Sequence, residues 1–503
     1  MYLAFDVGTT SVKVVLFGRD GRPAAKSIVN YQLETPGVNR YEADPELYWT
    51  AVADGIREVM RRSRTPPEAV RTVSGCSQGE TVVLLGADDR PVRRAIVWLD
   101  QRARDEVAEL ARLVPNDELY RVTGLTDMDP TWTGPKLLWV RRNEPEVFRA
   151  VRRALWVEDW ITFRLTGRAC SSANLLSSSA FVDVHHKVYW PKTVEAVGVG
   201  RMLPEIVESG AAVGTILPRV AAELGLSPTA LVVKGSMDQA VSALGAGNIE
   251  PGIVTETTGS VMAIGVTSRT ADPGAAVRLP YQPHVVPGYL YLPYVQTAGS
   301  AYKWWRDQFS SPEIAAAGGD LEAAYTQMNR LAAAVPAGSE GLVFLPFLAG
   351  AGTPENDPDA RGVFHGLTLK HGRGHCARAI QESIGYLLKK ILADFARSGS
   401  TFTEVRSMGG GARSDLWLQI KADVTGLPIV RMEEEETSTL GAAMLAAVRV
   451  GDYPDAAAAA KAMVRLGRRF EPDPAAAVAY ARGYALYNDL YAALAPLFRR
   501  YAH

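Results

Sequence analysis

The sequence predicts an α/β protein built from at least two large domains. The chain has 503 residues, which is too many for a single hydrophobic core. Residues 1–110 alternate apolar runs typical of strands with short helical patterns. In addition, one short pattern occurs twice, about half a chain apart: an apolar strand, a bend of small hydroxyl-bearing residues, and a second apolar strand.

The repeated pattern predicts two hairpins. The first, YLAFDVGTTSVKVVLF, spans residues 2–17, and the second, PGIVTETTGSVMAIGV, spans residues 251–266. Two similar domains that each begin with such a hairpin would explain the repeat, and a chance match over so short a stretch is the alternative. The turn-forming segment GAGNIEPG favours a boundary near residues 247–252. We therefore predict a first domain over residues 1–247 and a second over 248–503 with a helical tail.

The remaining elements follow from their periodicity. The sequence predicts strands within 69–92 and 94–103, helices within 135–166, a strand, turn and helix over 225–247, a strand and Gly-rich loop over 341–354, a helix over 371–397, a strand, glycine turn, helix and strand over 405–430, a helix over 437–451, and a helical tail over 455–501.

Composition excludes several classes of protein. Net charge is -1, with 54 basic and 55 acidic residues, which gives no reason to expect nucleic acid or an anionic membrane as a partner. The three cysteines are far apart and odd in number, which favours a reducing compartment over a disulfide framework or a zinc site. The N-terminus runs straight into a strand, and no apolar run is long enough for a membrane span. We expect a cytoplasmic enzyme, and a homodimer is compatible with this sequence.

The bend of the first hairpin has the groups that bind phosphate. A tight turn over Gly8, Thr9, Thr10 and Ser11 directs backbone N–H groups and hydroxyls towards one point. Lys13 would add positive charge, and Asp6 could orient a hydrated magnesium ion held by phosphates. An ordinary hairpin with turn-favouring residues is the alternative. The sequence lacks G-x-x-x-x-G-K-[ST], so this is not a P-loop.

Two further segments suit a nucleotide and a proton transfer. SMGGGARSDLW (407–417) is a glycine turn between a strand and a helix, which allows a ligand to approach the backbone and the helix N-terminus, although such turns are also common without ligands. In GSMDQA, Asp238 could accept a proton from a substrate hydroxyl with Gln239 beside it. A simple helix cap is the alternative role for Asp238.

Polar clusters follow two predicted strands, where ligands of α/β sheets usually lie. SQGET and WLDQR contain Gln78, Glu80, Asp100 and Arg102, which together offer donors and acceptors for a polyhydroxylated ligand. Turn and surface chemistry is the alternative. The acidic run Glu433–Glu436 is interpreted as a solvated loop, and metal binding through histidine is not expected, since no H-E-x-x-H motif occurs.

These motifs occur in a specific order. The set is D-x-G-T-T-S-x-K, S-Q-G-E-T, W-x-D-x-R, K-L-L-W, G-x-x-D-Q, T-T-G-S, A-R-G-x-F-x-G-L-T, G-G-G-A-x-S-x-x-W-x-Q-x-x-A-D and T-x-G-A-A. In this order the chain resembles the FGGY family of carbohydrate kinases from Leu3 to about Gly451. The resemblance implies two ribonuclease-H-like domains of the actin and hexokinase type around a central cleft, with ATP mainly on the second domain, the sugar mainly on the first, and Mg²⁺ as cofactor.

The resemblance also implies a role for individual positions. Asp238 matches the general base and contacts the acceptor, Asp6 matches the magnesium-orienting carboxylate, and the other matches fall in two groups. Acceptor contacts are implied for Gln78, Gly79, Glu80 and Gln239. Nucleotide contacts are implied for Gly8, Thr9, Thr10, Ser11, Lys13, Thr258, Gly259, Gly299, Lys303, Gly410, Gly411 and Asp415.

The acceptor positions differ from those of the best-known members. Gly79 stands where glycerol kinases carry arginine, and Thr131 stands where they carry tyrosine, which argues against glycerol. Xylulose kinases usually carry Met-His where this chain has Gly79-Glu80, yet the rest reads closest to that branch. A small residue at 79 leaves room for about five carbons, and Glu80 disfavours a carboxylate substrate such as gluconate unless Arg102 offsets it. We expect a ketopentose such as xylulose; another polyol or sugar acid (erythritol, glycerol, gluconate), or a non-catalytic nucleotide-binding protein, are the alternatives.

Overall fold

The computed structural model describes residues 1–272, 274 and 277–501. The chain divides into two compact units, which are described separately. Unit 1 contains residues 1–249, 268–290 and 436–464, and unit 2 contains residues 250–267, 291–435 and 465–503. The segments 268–290 and 436–464 pack with the first unit, although they lie within the range predicted for the second domain.

Unit 1 is organised around a six-stranded sheet. The order across the sheet is Ala212–Thr215, Leu231–Met237, Thr72–Ser77, Tyr2–Val7, Ser11–Phe17 and Pro23–Asn30. The two strands of the predicted first hairpin pair antiparallel, and the first of them also pairs parallel with Thr72–Ser77. Because Thr72–Ser77 pairs parallel with Leu231–Met237, three consecutive neighbours in the sheet run in the same direction.

The alternating side chains of the first strand explain why this sheet has helices on both faces. Leu3 and Phe5 lie in a core with helix Pro45–Ser63, whereas Tyr2 and Ala4 lie in a second core with helix Thr437–Arg449. All six residues of this strand are buried, which is expected where a sheet is covered on both sides.

The other elements of unit 1 surround this sheet. Its further strands are Glu34–Gly37, Arg40–Ala43, Val82–Leu85, Ala95–Ile96, Arg153–Trp156, Cys170–Ser172, Val182–Asp183, Val188–Tyr189, Glu205–Val207 and Tyr281–Pro283. Its further α-helices are Arg104–Leu113, Asn116–Thr123, Thr133–Asn143, Pro145–Ala150, Val157–Thr166, Pro191–Val197, Pro218–Leu224, Asp238–Gly245 and Ala456–Met463, and its 3₁₀ turns are Pro67–Ala69, Ser177–Ser179 and Gly200–Met202.

Unit 2 repeats the central pairing of unit 1. Ile253–Thr258 pairs antiparallel with Met262–Ser268 and parallel with Glu404–Met408, which pairs parallel with Ile429–Met432. Leu466–Phe470 continues this sheet antiparallel. The shared order of a hairpin followed by two parallel strands makes the fold a two-domain α/β architecture of the actin and hexokinase type.

Helix Arg373–Arg397 is the longest helix in the described part of unit 2 and packs against helices Leu321–Ala333 and Asp415–Thr425. The remaining α-helices of this unit are Gly299–Phe309, Ser311–Ala316 and Ala477–Arg500, and its 3₁₀ turns are Ser339–Gly341 and Gly410–Arg413. Its other strands are Tyr294–Val295, Val343–Leu345 and Val363–His365, and strand Tyr289–Tyr291 joins the ranges of the two units in sequence.

Two details differ from the periodicity-based predictions. The range 135–166 contains strand Arg153–Trp156 between its helices, because the apolar run there pairs with Val82–Leu85. The tail contains strand Leu466–Phe470 between its two helices, held by pairing with Ile429–Met432. Tertiary pairing outweighs helical periodicity in both places. Among the described residues, no helix is long and apolar enough to cross a membrane.

Candidate functional site

The turn of the first hairpin is held by side chains from two other segments of unit 1. The Gly8 N–H donates to Ser11 O over 3.0 Å, which closes the turn. The Trp98 indole N–H donates to Thr9 Oγ1 over 2.9 Å, and the Tyr31 hydroxyl donates to Gly8 O. Thr9 and Thr10 remain accessible to solvent. The turn is therefore fixed in place while its outer face stays open to a ligand.

Asp6, on the strand leading into this turn, has one unused carboxylate oxygen. Its Oδ2 accepts from Ser438 Oγ over 2.8 Å, whereas its Oδ1 has no hydrogen-bond partner although the residue is only 8% exposed. Burial raises the pKa of Asp6, and the nearby Lys13 ammonium opposes that rise. Lys13 forms an ion pair with Glu436 over 2.8 Å, so the last residue of the acidic run is buried and paired rather than solvated.

The segment 78–80, here called the acceptor segment, starts directly after strand Thr72–Ser77. The Gln78 N–H donates to Val7 O over 3.0 Å, which ties this segment to the first hairpin. The Gln78 amide donates to the Tyr48 hydroxyl over 3.4 Å, and its buried Oε1 has no partner. A Cβ placed on Gly79 would lie 3.1 Å from Met237 Sδ. The space expected beside Gly79 is therefore already lined by the Met237 thioether.

Asp238 is the first residue of helix Asp238–Gly245, and its Oδ1 accepts from the Gln239 N–H over 2.6 Å. The preceding Met237 N–H donates to the buried Asn174 side chain over 3.2 Å, which fixes the approach to the helix. Burial raises the pKa of Asp238 to about 8, with smaller contributions from the negative charges of Asp6 and Glu80. These contributions mean that the hairpin, the acceptor segment and Asp238 meet in one electrostatic environment.

Asp100 and Arg102 form a structural pair. Arg102 donates to both carboxylate oxygens of Asp100, over 2.8 and 2.7 Å, and forms a second ion pair with Glu42 over 2.8 Å. The Arg102 side chain is 2% exposed and its guanidinium lies over the Trp139 ring. The Arg102 guanidinium is therefore already paired with two carboxylates inside unit 1.

In unit 2, the hydroxyl of Thr258 at the second hairpin is hydrogen-bonded to buried side chains. Thr258 Oγ1 donates to Glu256 Oε2 over 2.7 Å and accepts from the Lys421 ammonium over 2.9 Å. Lys421 and Glu256 are both fully buried and lie 2.6 Å apart. Gly259 and Ser260 are exposed at the bend. The outer surface of this bend is therefore mainly backbone.

Two further segments of unit 2 pack onto that bend. Helix Gly299–Phe309 begins with the Gly299 N–H donating to Gly259 O over 3.0 Å, and a Cβ on Gly299 would lie 2.2 Å from that oxygen. A Cβ on Gly411 would lie 2.7 Å from Thr258 Cβ. Both close approaches require glycine. Gly410 has open space around it, which leaves room for a ligand.

The last two predicted nucleotide positions lie at the edge of this group. Lys303 is exposed on helix Gly299–Phe309. Asp415 begins helix Asp415–Thr425, and its carboxylate is bound by the guanidinium groups of Arg431 and Arg468. Asp415 therefore has two cationic partners before any ligand is considered.

Sequence reasoning missed several residues that hold the site. Lys136 is fully buried beneath the acceptor segment, Lys421 and Glu256 are buried beneath the second hairpin, and Ser438 supports Asp6. The available signal was a lysine among apolar helix residues, in PKLLWV and LQIKAD. Within the described residues, no cluster of three or more His, Cys, Asp or Glu side chains could hold a metal ion.

Comparisons with known proteins show what this chain is similar to. The family model for the N-terminal domain of the FGGY family of carbohydrate kinases matches residues 1–245, and the model for its C-terminal domain matches residues 253–450. The Escherichia coli xylulose kinase is 31% identical over 453 residues, covering 89% of this chain and 90% of that protein. The Bacillus subtilis gluconokinase is 27% identical over 456 residues, covering 89% and 87%. The structure of a xylulose kinase from Rhodospirillum rubrum superposes with a TM-score of 0.89 at 31% identity, covering 99% of each chain.

Proposed function

This chain belongs to the FGGY family of carbohydrate kinases and is an ATP-dependent sugar kinase, and we propose that its acceptor is a ketopentose such as xylulose. The proposal rests on the charge of the acceptor segment, argued below. It is supported by the near full-length similarity to xylulose kinases.

The observation that carries the proposal is the negative charge of Glu80, which contributes to the raised pKa of Asp238. Arg102, the cation that could have offset it for a carboxylate substrate, is held by Asp100 and Glu42. A sugar acid would place its carboxylate near Glu80, where like charges repel. A neutral ketopentose instead offers hydroxyl donors to Glu80 and to the unpartnered Gln78 Oε1.

Asp238 is proposed as the general base. In phosphoryl transfer, positioning and electrostatic stabilisation supply most of the catalysis, and one carboxylate accepts the proton of the attacking hydroxyl. The raised pKa of Asp238, about 8, brings its basicity closer to that task than an ordinary aspartate. Gln239 beside it would hydrogen-bond the same acceptor.

The nucleotide is proposed to bind at the second hairpin and glycine turn of unit 2, and the bend of the first hairpin in unit 1 is proposed as a phosphate-binding turn in its own right. The open space at Gly410 and the exposed backbone at Gly259 and Ser260 suit this role. Lys421 lies buried beneath the bend, where its ion pair with Glu256 holds the Thr258 hydroxyl in place. The hydroxyls of Thr9, Thr10 and Ser11 are accessible donors of the first hairpin.

Asp6 is the residue that fits a magnesium ion. Its Oδ1 is buried and has no hydrogen-bond partner, and a carboxylate oxygen is a ligand that suits Mg²⁺. Hydrated Mg²⁺ usually takes only one or two protein carboxylates beside phosphate oxygens, which agrees with a single acidic residue here. When bound, the ion would screen the charge of the nucleotide phosphates.

A substrate panel tests the proposal. ADP release would be measured with ATP and D-xylulose, D-ribulose, erythritol, glycerol or gluconate, with the Asp238→Asn variant as the inactive control. We expect the highest kcat/KM for a ketopentose. A higher kcat/KM for gluconate or glycerol would contradict the acceptor assignment, and full activity of Asp238→Asn would contradict the base assignment.

A further inference from the structure

Lys136 is a fully buried lysine that the proposed mechanism does not use. It lies on helix Thr133–Asn143 and is 0% exposed. Its ammonium donates to Val97 O over 2.9 Å, to Trp98 O over 3.3 Å and to Glu80 O over 3.5 Å. All three acceptors are backbone carbonyl oxygens, so the charge is solvated by the main chain of two loops.

These loops belong to the candidate acceptor site. Glu80 is the last residue of the acceptor segment, and Val97 and Trp98 directly follow strand Ala95–Ile96. Thr133, at the start of the same helix, also donates to Glu80 O over 3.2 Å. The beginning of this helix therefore fixes the main chain of the acceptor segment against the main chain of residues 97–98.

Trp98 extends this arrangement to the first hairpin. Its main-chain carbonyl accepts from Lys136, and its indole N–H donates to Thr9 Oγ1. A shift of the Trp98 main chain would move the indole and release the Thr9 hydroxyl. The position of one ammonium group thus affects both the acceptor segment and the phosphate-binding turn.

Stability alone does not account for a lysine here. Burying an amine is costly, and burial lowers the pKa of Lys136 to about 7. The negative charges of Glu80 and Asp100 oppose this lowering. A methionine of similar length would fill the space without this cost. The neighbouring Leu137 and Leu138 are buried apolar residues, as expected for this helix.

We infer that Lys136 is a positioning residue, whose ammonium fixes the Glu80 and Trp98 main chains and, through the Trp98 indole, the Thr9 hydroxyl. The inference rests on the proposed function, because it takes Glu80 and Thr9 as groups that face the two substrates. Lys136 acts through these residues and does not itself contact a substrate.

The kinetic test uses Lys136→Met, which removes the ammonium, and Lys136→Gln, which keeps N–H donors without the charge. For Lys136→Met we expect kcat/KM for the acceptor to fall about 10²-fold, the size of effect that follows a misplacement of about 1 Å. The ATP KM should change by less than about 3-fold, and Lys136→Gln should recover part of the loss. Unchanged acceptor kinetics in a folded variant would overturn the inference.

Lys421→Met is the matched control, because Lys421 is an equally buried lysine that contacts Thr258 of the second hairpin. We expect it to raise the ATP KM and to leave the acceptor KM nearly unchanged. An equal loss of acceptor kcat/KM in both lysine variants would mean that any buried lysine has this effect, which would overturn a specific role for Lys136.

Amide hydrogen exchange separates failure of the inference from failure of the proposed function. Without any substrate, Lys136→Met should exchange faster than wild type at residues 79–81, 97–99 and 9–11, with the sheet of unit 2 unchanged. If wild type phosphorylates no member of the panel but this pattern appears, the acceptor assignment fails and the positioning role stands. If exchange is unchanged in both Lys136 variants, the positioning role is wrong whatever the acceptor.

Discussion

At the scale of single residues, Asp238 shows how its proposed role as general base opposes stability. Its carboxylate lies at the start of a helix, where an anion is favoured, yet burial and the charges of Asp6 and Glu80 raise its pKa to about 8. A general base works only when deprotonated. A residue that served only as a cap would gain nothing from this environment.

The first prediction concerns the pH dependence of activity. The deprotonated fraction of Asp238 rises with pH up to and through its pKa of about 8. We therefore expect kcat/KM for the acceptor, measured in the Lys136→Gln variant so that the lysine with a pKa of about 7 does not titrate in the same range, to rise from pH 6 through pH 8 and to level off only above about pH 9. A pH profile of initial rates checks this, and a profile already flat at pH 6 would contradict the raised pKa in the free enzyme.

The second prediction concerns the stability of Asp238→Asn. Between the unfolded pKa near 3.8 and the folded pKa of about 8, the folded protein retains a proton that the unfolded chain has lost. Wild-type stability therefore falls as pH rises through this interval. Because asparagine removes this effect, the inactive variant should have a Tm about 2 °C or more above wild type at pH 8 and a smaller gain at pH 5. Thermal unfolding at the two pH values measures it, and a lower Tm at pH 8 would refute the argument.

The third prediction concerns the space beside Gly79. A Cβ there would lie 3.1 Å from Met237 Sδ and 3.3 Å from Ser178 Oγ, so Gly79→Ala must displace one of them. We expect the acceptor KM to rise about 3- to 10-fold, about 1 kcal/mol, with the ATP KM unchanged. Gly372→Ala is the matched control, because nothing lies within 4 Å of its Cβ. Identical acceptor KM values for the two variants would contradict this account.

At the scale of elements, a buried ionic triad holds the strand that directly precedes Asp238. Lys234 on strand Leu231–Met237 contacts Glu158 and Asp159 at the start of helix Val157–Thr166, and all three side chains are fully buried. Glu158 also accepts from the Gly235 N–H over 3.2 Å, within the irregular stretch between Val233 and Ser236 where the register shifts. The triad thus fixes the main chain that leads to the proposed base.

The fourth prediction follows from this triad. Lys234→Met would leave two carboxylates buried without their cation, and we expect a loss of about 3–5 kcal/mol in the free energy of unfolding. Lys187→Met provides the contrast, because its partner Glu208 is largely exposed and such pairs contribute at most about 1 kcal/mol. Denaturant unfolding of both variants measures the difference. Equal losses in the free energy of unfolding would show that the buried triad does not stabilise this strand more than an exposed ion pair does.

At the scale of the whole molecule, the proposed function divides the chemistry between the two units. The acceptor segment and Asp238 belong to unit 1, whereas the second hairpin and glycine turn belong to unit 2. Each unit has a buried lysine next to its proposed site. Lys136 donates to Val97 O in unit 1, and Lys421 donates to Thr258 Oγ1 in unit 2. The two ligands should therefore slow amide hydrogen exchange in different parts of the chain.

The fifth prediction concerns amide hydrogen exchange in the presence of each ligand. Xylulose should slow amide hydrogen exchange at residues 78–80 and 238–239, and a non-hydrolysable ATP analogue should slow it at 258–260 and 409–413. Exchange mapped with each ligand alone checks this, and the unliganded protein is the reference. Protection of 409–413 by xylulose alone would reverse the assignment of the two sites.

Much of the fold was predictable because its signals are local. Alternating apolar residues around hydroxyl-rich bends predicted both hairpins, and the order of the motifs identified the family. The strands Arg153–Trp156 and Leu466–Phe470 were missed because their structure depends on pairing with distant strands rather than on their own periodicity.

The sequence by itself determined the two hairpins, the glycine turn and the residue types that phosphoryl transfer requires, since each lies within a short stretch whose chemistry can be read directly. Only the tertiary structure decided which of these groups are available. In the structure, the Thr258 hydroxyl donates to Glu256 and accepts from Lys421, and Arg102 forms ion pairs with Asp100 and Glu42. The physical reason is that availability depends on partners far away in the chain, and a hydrogen bond already made inside the protein cannot be read from the residue that makes it.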